Sequence, residues 1–281
     1  MGHATVDELR EKLLYLKQRF EIISATQAVK LLDQCEPLQK NFAVVTVDDG
    51  YRDFRTNFLP LVEELNLPAT LFVCSGAICT GSVWFQNLYD LIFRIRGERL
   101  YLPWADRRIY FGDAEHRVLT IERMIAPYMK RLARTARRER LDDLLRANPV
   151  EPMPDSEDAF CTRKDLLELK ASRWIELHLH GHNHDPFETL TEAELEDDIN
   201  ACRHFFAEAL GIVSNVLSYP SGRFKPEHEK VLQRLGVQHA FSTISGFERP
   251  LKTHQYCIMR TGMGNEPMAA FHWSVCKLLQ G

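Results

Sequence analysis

Apolar positions recur along this chain with two periods. Leu9, Leu13, Leu14, Leu16 and Phe20 fall at helical spacing and predict a first helix over residues 6–20. Ile22 and Ile23 read as a short strand, and Ser24 or Thr26 as the cap of a second helix carrying Ala28, Val29, Leu31 and Leu32. The run from Phe42 to Val47 is mostly apolar and rich in β-branched residues, the pattern of a strand buried in the middle of a parallel sheet. Asp53 can cap a helix from Phe54 to about Leu65, and Ala69 to Cys74 forms another apolar strand. Strand, helix and strand at this spacing favour a parallel sheet with right-handed crossovers. Further on, the pattern predicts a helix over 84–96, a hairpin of 100–102 with 109–111, a basic helical stretch over 118–145 and a proline-bearing loop over 148–158. A strand over 174–179 follows, then a helix from a Thr191/Glu194 capping box to about Leu210. Strands over 213–219, 239–242 and 256–260 flank a helix over 226–235, and Pro267 opens a C-terminal helix. The alternation predicts one α/β domain over residues 1–281, with a mainly helical insertion at about 84–172.

Composition narrows the function classes. The 281 residues are 45% hydrophobic and 26% charged, the balance of an ordinary globular protein. A formal net charge of -4 gives no reason to expect a nucleic-acid partner. No run of 18 apolar residues predicts a transmembrane segment, and the polar N-terminus MGHATVDELREKL does not read as a signal peptide. Seven scattered cysteines without a CxxC pair argue against a disulfide framework and a zinc ribbon; most are expected in the core, and the expected compartment is the reducing cytoplasm. Lys130, Arg131, Arg134, Arg137, Arg138 and Arg140 place six cations in eleven residues. They read as a solvated helix face, or more sharply as a cap for an anionic glycan or lipid headgroup.

Two stretches carry chemistry. Asp48 and Asp49 end the Phe42 strand, the end at which ligands gather in α/β folds, and Gly50 permits the turn that both carboxylates need to reach one site. An acidic turn alone would also fit. Residues 178–185, HLHGHNHD, place four histidines in seven positions between a strand and a capped helix, which points to metal binding. His178/His182 and His180/His184 share the i, i+4 spacing; a turn at Gly181 would favour the second pair. Two imidazoles with a carboxylate leave open positions on a divalent ion, the layout of a catalytic site. Tyr219-Pro220-Ser221-Gly222 ends a third strand in the same frame.

Together these motifs resemble the polysaccharide deacetylases, carbohydrate esterase family four with the NodB-homology domain, over about residues 5–265. The first motif stands as Thr46-Val47-Asp48-Asp49-Gly50, with Tyr51 and Asp53 behind it; the second as His180-Gly181-His182-Asn183-His184; the third, in the Y-P-x-G-R form, as Tyr219-Pro220-Ser221-Gly222-Arg223. Phe241-Ser242-Thr243, Gly246 and Arg260 match the downstream pattern. The resemblance implies a distorted (β/α)7 barrel. It makes Asp48 the base, Asp49, His180 and His184 the ligands of one divalent ion (zinc, with cobalt or nickel as alternatives), and the Ser221 N–H the oxyanion donor. Tyr51, Tyr219 and Arg223 would meet substrate. The implied reaction removes an N-acyl group, most often acetyl, from an amino sugar in a glycan. For a protein without a leader, a lipid- or nucleotide-linked precursor or a growing surface polysaccharide fits best.

Three departures from the family pattern stand out. Ser218 occupies the place of the usual base-orienting arginine, Gly181 that of a serine or threonine, and the family's leucine-x-histidine acid motif has no clear counterpart. Arg260 is expected near that missing acid; His178, His182 and His254 are alternative acids. A glycan-binding pseudoenzyme of the same fold is the competing reading, and a phosphoesterase built on the histidine run is a second.

Overall fold

The computed structural model describes residues 5–34, 36–152, 159–249, 252–264 and 266–280. Nine strands are described: β1 (Glu21–Ile22), β2 (Phe42–Ala43), β3 (Val45–Val47), β4 (Ala69–Val73), β5 (Arg99–Leu102), β6 (Arg107–Tyr110), β7 (Ile175–Leu179), β8 (Val216–Ser218) and β9 (His239–Phe241). The central sheet runs β3-β4-β7-β8-β9, every pair parallel. β1 pairs in parallel with β2, which β3 follows after a break at Val44, and Ile258 bridges Phe241 in parallel at the other edge. The succession is that of a curled, incomplete (β/α) barrel.

Helices Leu59–Leu65, Arg163–Ala171, Glu192–Phe205 and Glu229–Arg234 lie between successive sheet strands. Strand alternation sorts the two faces of the sheet. In β7, Ile175, Leu177 and Leu179 join the core against the helices, with Leu61, Val62, Leu166, Leu169, Leu195 and Ile199. Glu176, His178 and His180 take the other face, which looks into the barrel. Phe72, Val216, Phe241 and Ile258 pack there with Ala25 and Val29 of helix Ala25–Asp33. The helix caps itself with Ser24 and Gln27, so Ser24 is the N-cap rather than Thr26.

Between β4 and β7 lie helix Trp84–Arg94, the antiparallel hairpin β5–β6, and helices Ala114–Thr120, Ala126–Met129 and Arg134–Ala147. These have an apolar cluster of their own, including Leu88, Ile92, Leu100, Ile121, Ile125, Met129 and Leu144. The basic stretch is not one helix. It turns non-helically at Ala133, and within it Arg137 is 1% exposed, so it is not a uniformly solvated face.

Other expectations shorten. The first helix stops at Lys17, the strand beginning at Val213 reduces to β8, and that over 256–260 to the bridge at Ile258. Asp53 has helical backbone angles itself and makes no side-chain cap bond, so it does not cap the helix. Cys74, Cys161 and Cys202 are buried, whereas Cys79 and Cys276 are exposed and Cys257 lies between, so the core takes half of the cysteines described. Cys35 and residues 153–158 of the proline-bearing loop lie outside the described residues.

Candidate active site

The chain turns sharply where β3 ends. Asp49 takes φ +77° and Gly50 φ +94°. Aspartate tolerates this left-handed region better than most residues, and glycine has no Cβ to clash. The turn sends adjacent carboxylates to different partners, Asp48 to Arg260 and Asp49 to two imidazoles.

Asp49 Oδ1 lies 3.2 Å from His180 Nε2 and 3.0 Å from His184 Nε2. This oxygen is buried without a directed hydrogen bond. One ligand atom from each of the three residues lies within 4.8 Å of the others. His180 Nδ1 donates to the Ser218 carbonyl at 2.8 Å, which leaves the Nε2 lone pair facing Asp49. Burial alone would depress the pKa of His180, but the charge of Asp48 and the close Asp49 carboxylate raise it. Burial likewise opposes the charge on Asp49, yet the imidazoles hold its carboxyl far below the usual range. A buried, anionic pocket of one carboxylate and two imidazoles, with an orphaned oxygen at its centre, fits a divalent cation of the zinc type.

The histidine loop is tied down from beneath. Asp198, 1% exposed on helix Glu192–Phe205, accepts from the backbone N–H of His182 at 2.7 Å and of Asn183 at 2.9 Å. Gly181 stands at φ +70°, and a Cβ there would meet Asp198 Oδ2 at 2.7 Å. That explains a glycine where a hydroxyl residue was expected: the Asp198 carboxylate fills the space and bonds the loop itself.

Asp48 is gripped at both oxygens. Arg260 Nη1 donates to Oδ1 and Nη2 to Oδ2, each at 2.8 Å. Ser218 Oγ accepts from Arg260 Nη2 at 2.8 Å and donates to Asp48 Oδ2 at 3.2 Å. Arg260 is fixed in turn by the Ser242 carbonyl at 2.8 Å and Thr46 Oγ1 at 3.1 Å. Burial pushes the Asp48 carboxyl up, but the charge of His180 and the bidentate contact with Arg260 outweigh it and leave the pKa below the ordinary value. Arg260 therefore grips Asp48, the expected base, rather than standing in the place of an acid. It supplies from a different strand end the guanidinium that Ser218 lacks.

Other expected residues are placed unequally. Ser221 stands at φ +58° in the turn Pro220–Gly222, with its Oγ buried and unpartnered. Tyr51 donates to Gln86 Oε1 at 3.0 Å and stacks on Phe160. Tyr219 is 0% exposed, donates to the Tyr256 carbonyl at 2.9 Å and stacks on Phe224, so its side chain supports the loop from within and cannot meet substrate. Arg223 pairs with Glu188 at 2.6 Å. None of the alternative acids is free at the site: His178 is bonded to Ser214 at 2.8 Å, His182 to Ser75 at 2.8 Å, and His254 lies 3.6 Å from Glu229. Sequence reasoning missed Phe85, whose ring centroid lies 4.5 Å from that of His184, and noted Lys130 only as one of six cations, not that its ammonium feels the charges of Arg223 and Asp49. Neither has a signal in local spacing, because both reach the site from 84–172.

A parallel barrel with an aspartate pair and two histidines at its strand ends defines an α/β protein of the deacetylase-fold class. The chain belongs to the polysaccharide deacetylase family, whose sequence model matches residues 36–97 and 132–240, more than half of it. No curated protein matches significantly. Among solved structures, it is similar to the Streptococcus pyogenes deacetylase PplD in complex with acetate, at 14% identity and a TM-score of 0.62, covering 93% of this chain and 82% of that one. IcaB from Ammonifex degensii aligns at 16% identity and a TM-score of 0.61, covering 96% and 88%. The BpsB deacetylase domain from Bordetella bronchiseptica aligns at 17% and 0.58, covering 93% and 85%. At these identities the likenesses establish the fold. Among the described residues no helix is long and apolar enough to cross a membrane.

Proposed function

We propose that this chain is a metal-dependent hydrolase that removes an N-acetyl group from an amino sugar in a glycan or glycan precursor. The observation that carries the reading is the pairing of two aspartates with opposite tasks: Asp48 held ionised by Arg260, and Asp49 turned toward His180 and His184. A pure binding protein has no need of a base, yet Asp48 is present here and gripped by a forked arginine. The family and the acetate held by PplD support the acyl group chosen.

In this reading Asp48 accepts the proton of the attacking water, and general-base help of this kind contributes roughly 10²–10⁴ in rate. Arg260 and Ser218 fix the carboxylate's rotation and keep it deprotonated. The Ser221 N–H, presented by the turn after Pro220, donates to the oxygen that becomes negative as the carbonyl is attacked. A divalent ion held by Asp49, His180 and His184 would polarise that carbonyl and lower the pKa of bound water. Zinc suits the donor set, with cobalt or nickel as substitutes. The test is acetate release from a panel of N-acetylated amino sugars, free, nucleotide-linked and polymeric, by metal-loaded protein. Release that vanishes in Asp48→Asn, with metal retained, supports the enzyme. Metal binding with no release from any member of the panel would favour a glycan-binding role.

A further inference from the structure

His184 differs from His180 in how it is oriented. The ring of His180 is fixed through Nδ1 by the Ser218 carbonyl. Nδ1 of His184 is buried and has no hydrogen-bond partner. Metal-ligating imidazoles almost always have such a partner, because it sets the tautomer and the direction of the ring. His184 also stands at φ +53°, a position that a residue with a Cβ keeps only when its surroundings enforce it.

The enforcement comes from the segment between β4 and β7. Trp84 Nε1 donates to the His184 carbonyl at 2.9 Å. Asp185, the next residue, is 1% exposed and takes Arg137 Nη1 at 2.5 Å on one oxygen and Arg134 Nε at 2.6 Å on the other. Arg137 donates further to the carbonyls of Met129 at 3.1 Å and Leu132 at 2.8 Å, and its guanidinium lies 4.7 Å from the Trp84 ring centroid. One arginine thus joins Trp84, Asp185 and the turn around residues 129–132. A buried ion pair is a poor stabiliser, since desolvation offsets most of its attraction; its better-attested use is to select one arrangement. The arrangement selected here is the backbone on both sides of a ligand that has no hydrogen bond to its own ring.

We propose that Trp84, Arg137 and Asp185 form a positioning cluster that orients His184 and thereby sets the affinity of the site for its metal. The inference rests on the metal-dependent reading above. It also assigns the innermost cations of the basic run an inward task rather than glycan contact.

The test is the zinc dissociation constant of metal-free protein, measured by competition with a chromogenic chelator, alongside the thermal midpoint of the same metal-free samples. Trp84→Phe keeps an aromatic ring beside Arg137 and removes the indole N–H together with the second ring. It is expected to weaken zinc binding about 10-fold while the metal-free midpoint stays near wild type. Arg137→Met combined with Asp185→Asn removes the ion pair without leaving a buried charge unpaired, and is expected to weaken binding about 10- to 100-fold. Arg138→Ala, an exposed change on the same helix, is expected to bind as wild type does. Wild-type affinity in both the Trp84 and the double variant overturns the proposal and leaves the metal site standing. A wild-type protein that binds no zinc, cobalt or nickel overturns the parent reading and this one with it.

Discussion

As the proposed base, Asp48 must be ionised and correctly turned, and the two conditions have different sources. Burial works against ionisation; the charge of His180 and the fork of Arg260 restore it and leave the folded pKa below 3.8. The carboxyl therefore stays ionised to lower pH than an ordinary aspartate does. Removing the fork leaves burial less opposed, so the pKa rises. Arg260→Met should move the acid limb of kcat/KM to higher pH without changing metal content; Arg260→Lys, which keeps charge but not the planar fork, should move it less. An unmoved limb in Arg260→Met would show that the arginine does not govern the base. Asp48→Asn should cost roughly 10²–10⁴ in kcat with zinc content unchanged, measured by acetate release and metal analysis on one preparation. The candidate ligands were legible in the sequence as two short runs, but spacing left His178/His182 open beside His180/His184, and only the family motif chose the second pair. The arginine's task was not legible. Arg260 and Asp48 are 212 residues apart, and only the curl of the sheet brings them together.

At the scale of elements, helix Ala25–Asp33 and strand β7 share one carboxylate inside the barrel. Glu176 Oε2 accepts from the backbone N–H of Thr26 at 3.0 Å, at the helix N-terminus where a negative charge is favoured, and lies 3.4 Å from His178 Nε2. Burial opposes its charge, but the bonds from His178, Thr26 and Ser24 prevail, and its pKa falls from 4.5 to about 2. The stability it contributes is fully present above pH 4.5 and is lost as pH falls through about 2. Thermal midpoints of wild type and Glu176→Gln should differ most above pH 4.5 and converge toward pH 2; a gap that stays constant with pH would rule out this linkage. Order and type of the elements were readable from periodicity, but their ends were not. Val213, taken as the start of a strand, is 88% exposed and has no place in the sheet, since an apolar β-branched run records propensity and not whether a partner strand is alongside. The basic stretch misled for the opposite reason. Arg137 looks like its solvated neighbours in composition, and only the buried Asp185 distinguishes it.

For the whole molecule, the three ligands belong to two distant segments, the turn after β3 and the loop after β7, which meet only in the folded chain. Without a cation, folding must bury the Asp49 carboxylate with only the His180 and His184 rings beside Oδ1, a desolvation cost that a bound ion offsets. Metal binding and folding are then linked, because the unfolded chain cannot present the site. At free zinc about 100 times the dissociation constant, the linkage contributes about 2.7 kcal/mol. For a chain of this size that corresponds to a rise of roughly 5 °C in thermal midpoint. His180→Ala should remove a ligand and with it most of the shift, whereas Asp48→Asn should retain it, since Asp48 serves the base and not the ion. Scanning calorimetry of the three proteins with and without zinc separates the two tasks of the aspartate pair. A zinc shift equally lost in Asp48→Asn and His180→Ala would mean that both carboxylates hold the ion, and that the division of labour between Asp48 and Asp49 is wrong.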